Sequence, residues 1–240
     1  MPCDRDTLSP VRGPGYATAA GAGFAAVAAG ILPPMDHART VLDSWFGCEP
    51  MTPALFQAQM PTWFDGRDAA AREARDATLA VQFGKLAARA AAGALEAWAD
   101  SPRQRLALIL LLDQFPRHLH RGTARAFATD DRAAALTLDG MQKAADATLD
   151  PARRVFFYMP LQHSEALDVQ EESVAAYRRL LDESPEPWRA VLAGTLDYAR
   201  RHRDIVARFG RFPHRNAVLG RESTAEEAAW LADGGERFGQ

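Results

Sequence analysis

Three separated segments of the sequence carry side chains that bind anions or exchange protons. The first segment spans residues 113–131 and contains Asp113, Arg117 and Arg121. Asp113 follows an apolar run, and a carboxylate buried there needs a positively charged partner. Asp113 is therefore either a ligand-binding or general-base group, or one half of a structural ion pair with one of the two arginines. Pro116 predicts that the regular helix ends just before it.

In the second segment, PLQHSEALD, a histidine lies beside two acids. Ser164 is the predicted N-cap of a helix, His163 precedes it, and Glu165 and Asp168 occupy the first turn. A histidine with nearby carboxylates can form an acid–base pair or supply metal ligands. The His-x-Glu spacing matches no specific metal motif, and acids in a first turn also interact favourably with the helix dipole. The segment therefore predicts no metal site and leaves the acid–base role as one of two interpretations.

A long predicted helix leads into the third segment, RFGRFPHRN at residues 208–216. Arg201 and Arg208 share one face of this helix, where two aspartates alternate with them in a ladder of ion pairs. His202 lies on the neighbouring apolar face. A lone histidine in such a place is more often a core residue than a ligand.

Beyond Gly210, which predicts the end of that helix, the chain turns at Pro213 and carries a cluster of polar side chains. Several arginines together suit phosphate or carboxylate, because a guanidinium group binds either one in a bidentate manner. A helix C-terminus also stabilises positive charge when no ligand is present. The cluster consists of Arg211, His214, Arg215, Asn216 and Arg221.

The elements that must position these side chains are all predicted to be helices. Apolar residues recur with helical spacing, Asp150 and Pro151 form a typical helix start, and no run of β-branched residues alternates as in a strand. Helices of similar length joined by short loops predict an all-α fold of stacked antiparallel helical hairpins in a single domain, residues 35–240. Residues 1–34, rich in Ala and Gly, are predicted to be a disordered or mis-started extension.

Composition excludes several classes of function. The chain has 240 residues and a formal net charge of −3, so neither nucleic acid nor an anionic membrane is an expected partner. The apolar run at residues 106–112 is too short to span a bilayer. The only two cysteines, Cys3 and Cys48, form no CxxC pair, which favours the reducing cytoplasm. No motif for a phosphate-binding loop, a dinucleotide, a serine nucleophile or zinc is present, so no cofactor is identified.

Three stretches, LALILLLDQFPRHLHRGTARAFATD, YMPLQHSEALDVQEESV and DYARRHRDIVARFGRFPHRNAVLGRESTAEE, closely resemble a bacterial family known as domain of unknown function 924. The resemblance covers residues 36–232. It implies an all-helical protein of the tetratricopeptide-repeat-like superfamily, and it implies no established activity. The family's motif residues, carried onto this sequence, are Asp113, Gln114, Arg117, Arg121, Asp130, His163, Ser164, Glu165, Arg201, His202, Asp204, Arg208, Arg211, His214, Arg215, Asn216 and Arg221.

A signature this polar implies either an internal network or one concave site, and three functions follow. The first is a binding protein that holds a small anion, a phosphorylated metabolite or an acidic peptide in an Arg/His-lined pocket. The second is a hydrolase-type enzyme in which His163 or His214 transfers protons, Asp113 orients the imidazole and arginines stabilise negative charge. The third is a protein-interaction scaffold whose polar residues are structural. The candidate ligand-binding residues are Asp113, Arg117, Arg121, His163, Glu165, Arg201, His202, Arg208, Arg211, His214, Arg215, Asn216 and Arg221.

Overall fold

A computed structural model of the protein describes residues 36–47, 50–64 and 68–238, and in these residues the regular structure is entirely helical. The prediction of an all-α fold is confirmed. Short 3₁₀ turns lie between several of the helices. The α-helices of the described residues are α1 (His37–Phe46), α2 (Pro53–Phe64), α3 (Ala69–Ala91), α4 (Pro102–Leu119), α5 (Asp130–Gln142), α6 (Pro151–His163), α7 (Leu167–Glu183), α8 (Glu186–Phe209) and α9 (Ala225–Ala232).

The helices from α3 to α8 pack in chain order, each against the next. Because short connections reverse the chain at every step, α4, α6 and α8 run in one direction and α3, α5 and α7 in the other. Helix α6 contacts both α4 and α8, so α4, α6 and α8 lie side by side in what we call the inner row. Helix α1 packs on α4 and α2 packs on α8. The helices are therefore stacked as antiparallel hairpins, while the relation to the tetratricopeptide-repeat-like superfamily stays a prediction.

The core of this array is centred on α4 and α6. Residues 106–112 of α4 are buried on every side of the helix. Aromatic residues of α1 and α2 pack on Phe156 of α6. The ring centroid of Phe156 lies 4.8 Å from that of Trp63 and 5.4 Å from that of Phe46. Gly140 lets α5 approach this layer, since a Cβ there would lie only 2.6 Å from the Phe157 ring.

Two predicted helix boundaries are wrong. Helix α4 continues through Pro116 to Leu119. Proline cannot donate to the carbonyl four residues earlier, and the Thr129 hydroxyl donates to that carbonyl of Leu112 instead. Helix α7 begins at Leu167 rather than directly after Ser164, whose hydroxyl accepts a hydrogen bond from the backbone of the turn between α6 and α7.

Several expectations concern residues outside the described part of the chain. The predicted extension at residues 1–34 and both cysteines lie outside it. Among the helices at residues 36–47, 50–64 and 68–238, none combines the length and apolar character needed to cross a membrane. The cytoplasmic location stays a prediction.

Candidate functional site

The three polar segments meet at one end of the inner row of helices. Helices α4, α6 and α8 end there, and α5 and α7 begin there, because successive helices run in opposite directions. The C-terminal ends carry partial negative charge and favour arginine, while the N-terminal ends favour carboxylates. The alternation of helix direction thus brings Asp113 of α4, His163 at the end of α6 and the corner after α8 into one polar cluster.

Asp113 and His163 form a hydrogen-bonded pair at the centre of this cluster. Asp113 Oδ1 lies 2.6 Å from His163 Nδ1, and Gln114 donates to the other carboxylate oxygen. Asp113 is fully buried. Burial alone raises the pKa of a carboxyl group, but His163 and Arg117 hold the pKa of Asp113 well below its usual value. Burial, followed by the charge of Arg117, lowers the pKa of His163. A neutral His163 therefore donates from Nδ1 and keeps Nε2 as an acceptor.

Asp130, at the start of α5, forms ion pairs with two arginines. Arg117 binds it in a bidentate manner at 2.9 and 3.0 Å, and Arg215 Nη1 lies 3.2 Å from Oδ2. Arg215 also donates to the carbonyl of His163 at 3.0 Å and stacks over Phe212, with its guanidinium carbon 4.5 Å from the ring centroid. Burial lowers the pKa of Arg215 to about 10, which leaves it charged at neutral pH. These contacts tie α4, α5, α6 and the corner after α8 together.

Two further bidentate pairs fix the corner after α8. Arg221 donates to Glu165 at 2.6 and 2.9 Å, and the same carboxylate accepts from the backbone N–H of Phe212 at 2.8 Å. Arg211 donates to Glu227 at 2.7 and 2.8 Å. Both arginines thus contact carboxylates near the first turn of α7 or of α9.

Asn216 and a capping box complete this corner. The Asn216 amide donates to Glu227 at 3.2 Å and to the Ser223 hydroxyl at 3.1 Å. Glu227 also accepts from the backbone N–H of Thr224, whose side chain accepts in return from the N–H of Glu227. The hydrogen bonds from Arg211 lower the pKa of Glu227 to about 2.

The charges of this cluster balance. Each of the other candidate arginines also reaches a carboxylate of its own chain: Arg121 contacts Asp76, Arg208 contacts Glu226 and Arg201 contacts Glu236. In the cluster, the guanidinium groups of Arg117, Arg211, Arg215 and Arg221 face the carboxylates of Asp113, Asp130, Glu165 and Glu227. Four positive charges therefore meet four negative charges, so each of these four arginines is already paired with a carboxylate of its own chain.

Three histidines lie beside this neutral network, and we call His163, His202 and His214 the histidine cluster. The ring centroids of His163 and His202 are 6.3 Å apart. His202 Nδ1 lies 2.9 Å from the carbonyl of Tyr198, so in the neutral ring Nδ1 donates and Nε2 is left to accept. Burial lowers the pKa of His202 well below its usual value.

His214 differs from the other two histidines. Both of its ring nitrogens are buried, and among the described residues neither finds a hydrogen-bond partner. Burial, followed by the charge of Arg215, lowers its pKa to about 3. A buried imidazole without partners is uncommon, because leaving a polar group unsatisfied costs free energy. His214 therefore marks a place where the atoms of the described residues leave polar groups unsatisfied.

Sequence reasoning missed some of the residues that complete the site. Glu227 could have been recognised from the Thr-x-x-Glu spacing of a capping box. Phe238, which stacks on His202, has no signal in the sequence. Among the described residues, no group of three or more histidine, cysteine or acidic side chains is arranged to hold a metal ion.

Comparisons with known proteins locate relatives but no activity. A family model described as "Bacterial protein of unknown function (DUF924)" matches residues 41–235. A solved structure of a protein of unknown function from Agrobacterium tumefaciens is similar, with a TM-score of 0.67 and 34% sequence identity, over 82% of this chain and 97% of that chain. No curated protein matches the chain.

Proposed function

The chain belongs to the DUF924 family of bacterial proteins of unknown function, and we propose that it binds a small ligand at the histidine cluster, with His163 Nε2 accepting a hydrogen bond from the ligand. The observation that carries this proposal is the 2.6 Å contact between Asp113 and His163 Nδ1. It fixes the neutral tautomer of the imidazole and directs its remaining lone pair away from the carboxylate.

The charge balance favours a neutral, hydrogen-bond-donating ligand. The sequence suggests an anion held by arginines, but each of those arginines already contacts a carboxylate. An anion would add negative charge beside four carboxylates whose arginines are already paired. A hydroxyl or N–H group carries no such cost, and neutral histidines supply the acceptors that it needs. The arginines then support the site by fixing the helix ends.

A second candidate function, acid–base catalysis, uses the same pair. When His163 Nε2 accepts a proton, the ionised carboxylate of Asp113 stabilises the resulting imidazolium, as in hydrolases that use a histidine base. The buried position of Asp113 favours this alternative. His214 is less suited to the role, because no carboxylate of the described residues contacts either of its nitrogens. Turnover would require a nucleophile or water beside His163.

Substitution of His163 separates binding from structural support. In His163→Asn, the amide N–H can replace Nδ1 as donor to Asp113, whereas the Nε2 acceptor is lost. In His163→Leu, both are lost and Asp113 is left without this partner. We expect His163→Asn to keep the melting temperature within a few degrees while it abolishes the thermal shift caused by fragments that bear hydroxyl or N–H groups. We expect His163→Leu to unfold at a clearly lower temperature.

A second histidine–carboxylate pair provides a matched control. His118 Nδ1 lies 2.8 Å from Asp76, on another side of α4. His118→Asn should leave every fragment-induced shift unchanged. If His163→Asn lowers the melting temperature as much as His163→Leu, and no fragment shifts the unmodified protein, the polar cluster is structural and the scaffold interpretation replaces the proposal.

A further inference from the structure

The C-terminal segment after α9 folds back over the histidine cluster. The ring of Phe238 stacks on His202, with a centroid distance of 3.5 Å and an interplanar angle of 14°. Tyr198, His214 and Phe212 lie around it, at 5.1, 5.8 and 6.4 Å between centroids. These four side chains of the domain form an aromatic pocket that holds one ring, and the chain's own Phe238 occupies it.

The fit of Phe238 in this pocket is incomplete. A phenyl ring fills the space and contributes aromatic contacts, but it has no hydrogen-bond donor or acceptor. Beside it, both nitrogens of His214 are buried, and no hydrogen-bond partner for them lies within residues 36–47, 50–64 and 68–238. A ring that also carried a hydroxyl or N–H group would satisfy the shape of the pocket and its polar atoms together. Phe238 thus occupies the place of the ligand's aromatic ring but supplies no polar substituent.

The segment that delivers Phe238 is suited to move away. Phe238 has a backbone φ of +49°, a left-handed conformation that is unfavourable for a bulky residue. Gly234, with a φ of +86°, lies at the point where the segment leaves α9. Glu236 pairs with Arg201 at the surface, where ion pairs are weak. A cleft of about 380 Å³ lies between the segment, Trp230 and α8, so the segment bridges a gap.

We propose that Phe238 is a displaceable lid and that the pocket of Tyr198, His202, Phe212 and His214 binds the aromatic ring of a ligand with a hydroxyl or N–H substituent, such as a phenol or an indole. This inference rests on the proposed function, because it names the ligand class of the same site. The ring replaces Phe238 on His202, and the substituent reaches the nitrogens of the histidine cluster. The segment closes the site when the ligand is absent.

Binding of p-cresol and toluene, which differ by one hydroxyl group, tests the inference on the full chain. In Phe238→Ala the lid no longer competes, so we expect p-cresol to bind about tenfold more tightly than to the unmodified protein, since a single aromatic contact contributes up to about that factor. Toluene should bind more weakly than p-cresol to the same variant. Phe64→Ala, which removes a partly exposed ring of α2, is the matched control and should leave both affinities unchanged.

The outcomes separate the lid from the proposed function. Equal p-cresol affinities in the unmodified protein and Phe238→Ala would overturn the lid, even if His163→Asn still abolished binding. Equal affinities of toluene and p-cresol for Phe238→Ala would overturn the hydrogen-bonding role of the histidines, and with it the proposed function. In the unmodified chain, saturating p-cresol should move the NMR signals of the His202 ring as Phe238 leaves it. Unmoved signals at saturation would refute displacement without any substitution.

Discussion

Replacement of His214 by leucine should stabilise the protein, and more so in acid. Both ring nitrogens of His214 are buried and lack hydrogen-bond partners in the part of the chain that the structure describes. An unsatisfied buried polar group costs about 1–3 kcal/mol, whereas an apolar side chain of similar size carries no such cost. Leucine also keeps the contact with the neighbouring aromatic rings. We therefore expect His214→Leu to raise the free energy of unfolding at pH 7 by about 1 kcal/mol or more.

The acid part of this prediction follows from the pKa of His214, which burial lowers to about 3 in the folded protein. In the unfolded chain a histidine titrates near pH 6.5. Below that value the unfolded state binds a proton that the folded state does not bind. The free energy of unfolding therefore decreases as the pH is lowered from about 6.5 to about 3, and it does not change above pH 6.5 on account of this group. Between pH 7 and pH 5 this histidine removes about 2 kcal/mol, because each pH unit in the window contributes about 1.4 kcal/mol.

Urea denaturation near pH 7 and near pH 5, followed by tryptophan fluorescence, measures both parts. The advantage of His214→Leu over the unmodified protein should grow by about 2 kcal/mol at the lower pH. His214→Gln is the matched control: it keeps a polar group in place but cannot titrate, so its gain should appear only in acid. An advantage independent of pH, or an NMR titration that places His214 near its ordinary pKa, would refute the reasoning.

Two further predictions concern packing and the ion-pair network. Asp130→Asn leaves the buried Arg215 and its neighbour Arg117 without their shared carboxylate. This substitution should lower the free energy of unfolding, measured by urea denaturation, by about 3–5 kcal/mol. A decrease below about 1 kcal/mol would show that the arginines find other partners. Gly140→Ala places a Cβ 2.6 Å from a buried ring and should destabilise by about 1–3 kcal/mol. Gly194→Ala, in α8 with open space around it, should stabilise by about 0.5–1 kcal/mol; calorimetry that gives both alanines the same sign would contradict the packing argument.

The meeting of the three polar segments follows from helix order. Once the elements are known to be helices joined by short loops, every second helix runs in the same direction, so the ends of α4, α6 and α8 must lie together. An apolar stripe predicts α8, which buries one face, whereas first-turn prolines mark the starts of α4 and α6, whose central residues are buried on every side. Gly210 was predicted to end α8, and it does so with a φ of +69°. These features depend on neighbouring residues in the sequence.

The partner of each arginine does not follow from local sequence. Proximity suggested that Arg117 or Arg121 would neutralise Asp113. Arg117 does lie 3.6 Å from Asp113, but its bidentate partner is Asp130, and Arg121 instead binds Asp76, 45 residues away in the sequence. Such choices depend on distances between separate helices to within about 1 Å, and helical periodicity carries no information at that scale.

Because each arginine of the cluster is already paired, an anionic ligand could bind only by displacing a carboxylate of the protein. To reach Arg221, a phosphate would have to displace Glu165, which lies half-buried against the backbone of Phe212. That exchange replaces one charge-assisted pair with another, so it yields little net energy and leaves a carboxylate without a cation. The same argument applies to Arg211 and Glu227. Under the proposed function, recognition therefore falls to the neutral imidazoles, where Nε2 of His163 can gain a hydrogen bond without breaking the one that Nδ1 makes to Asp113.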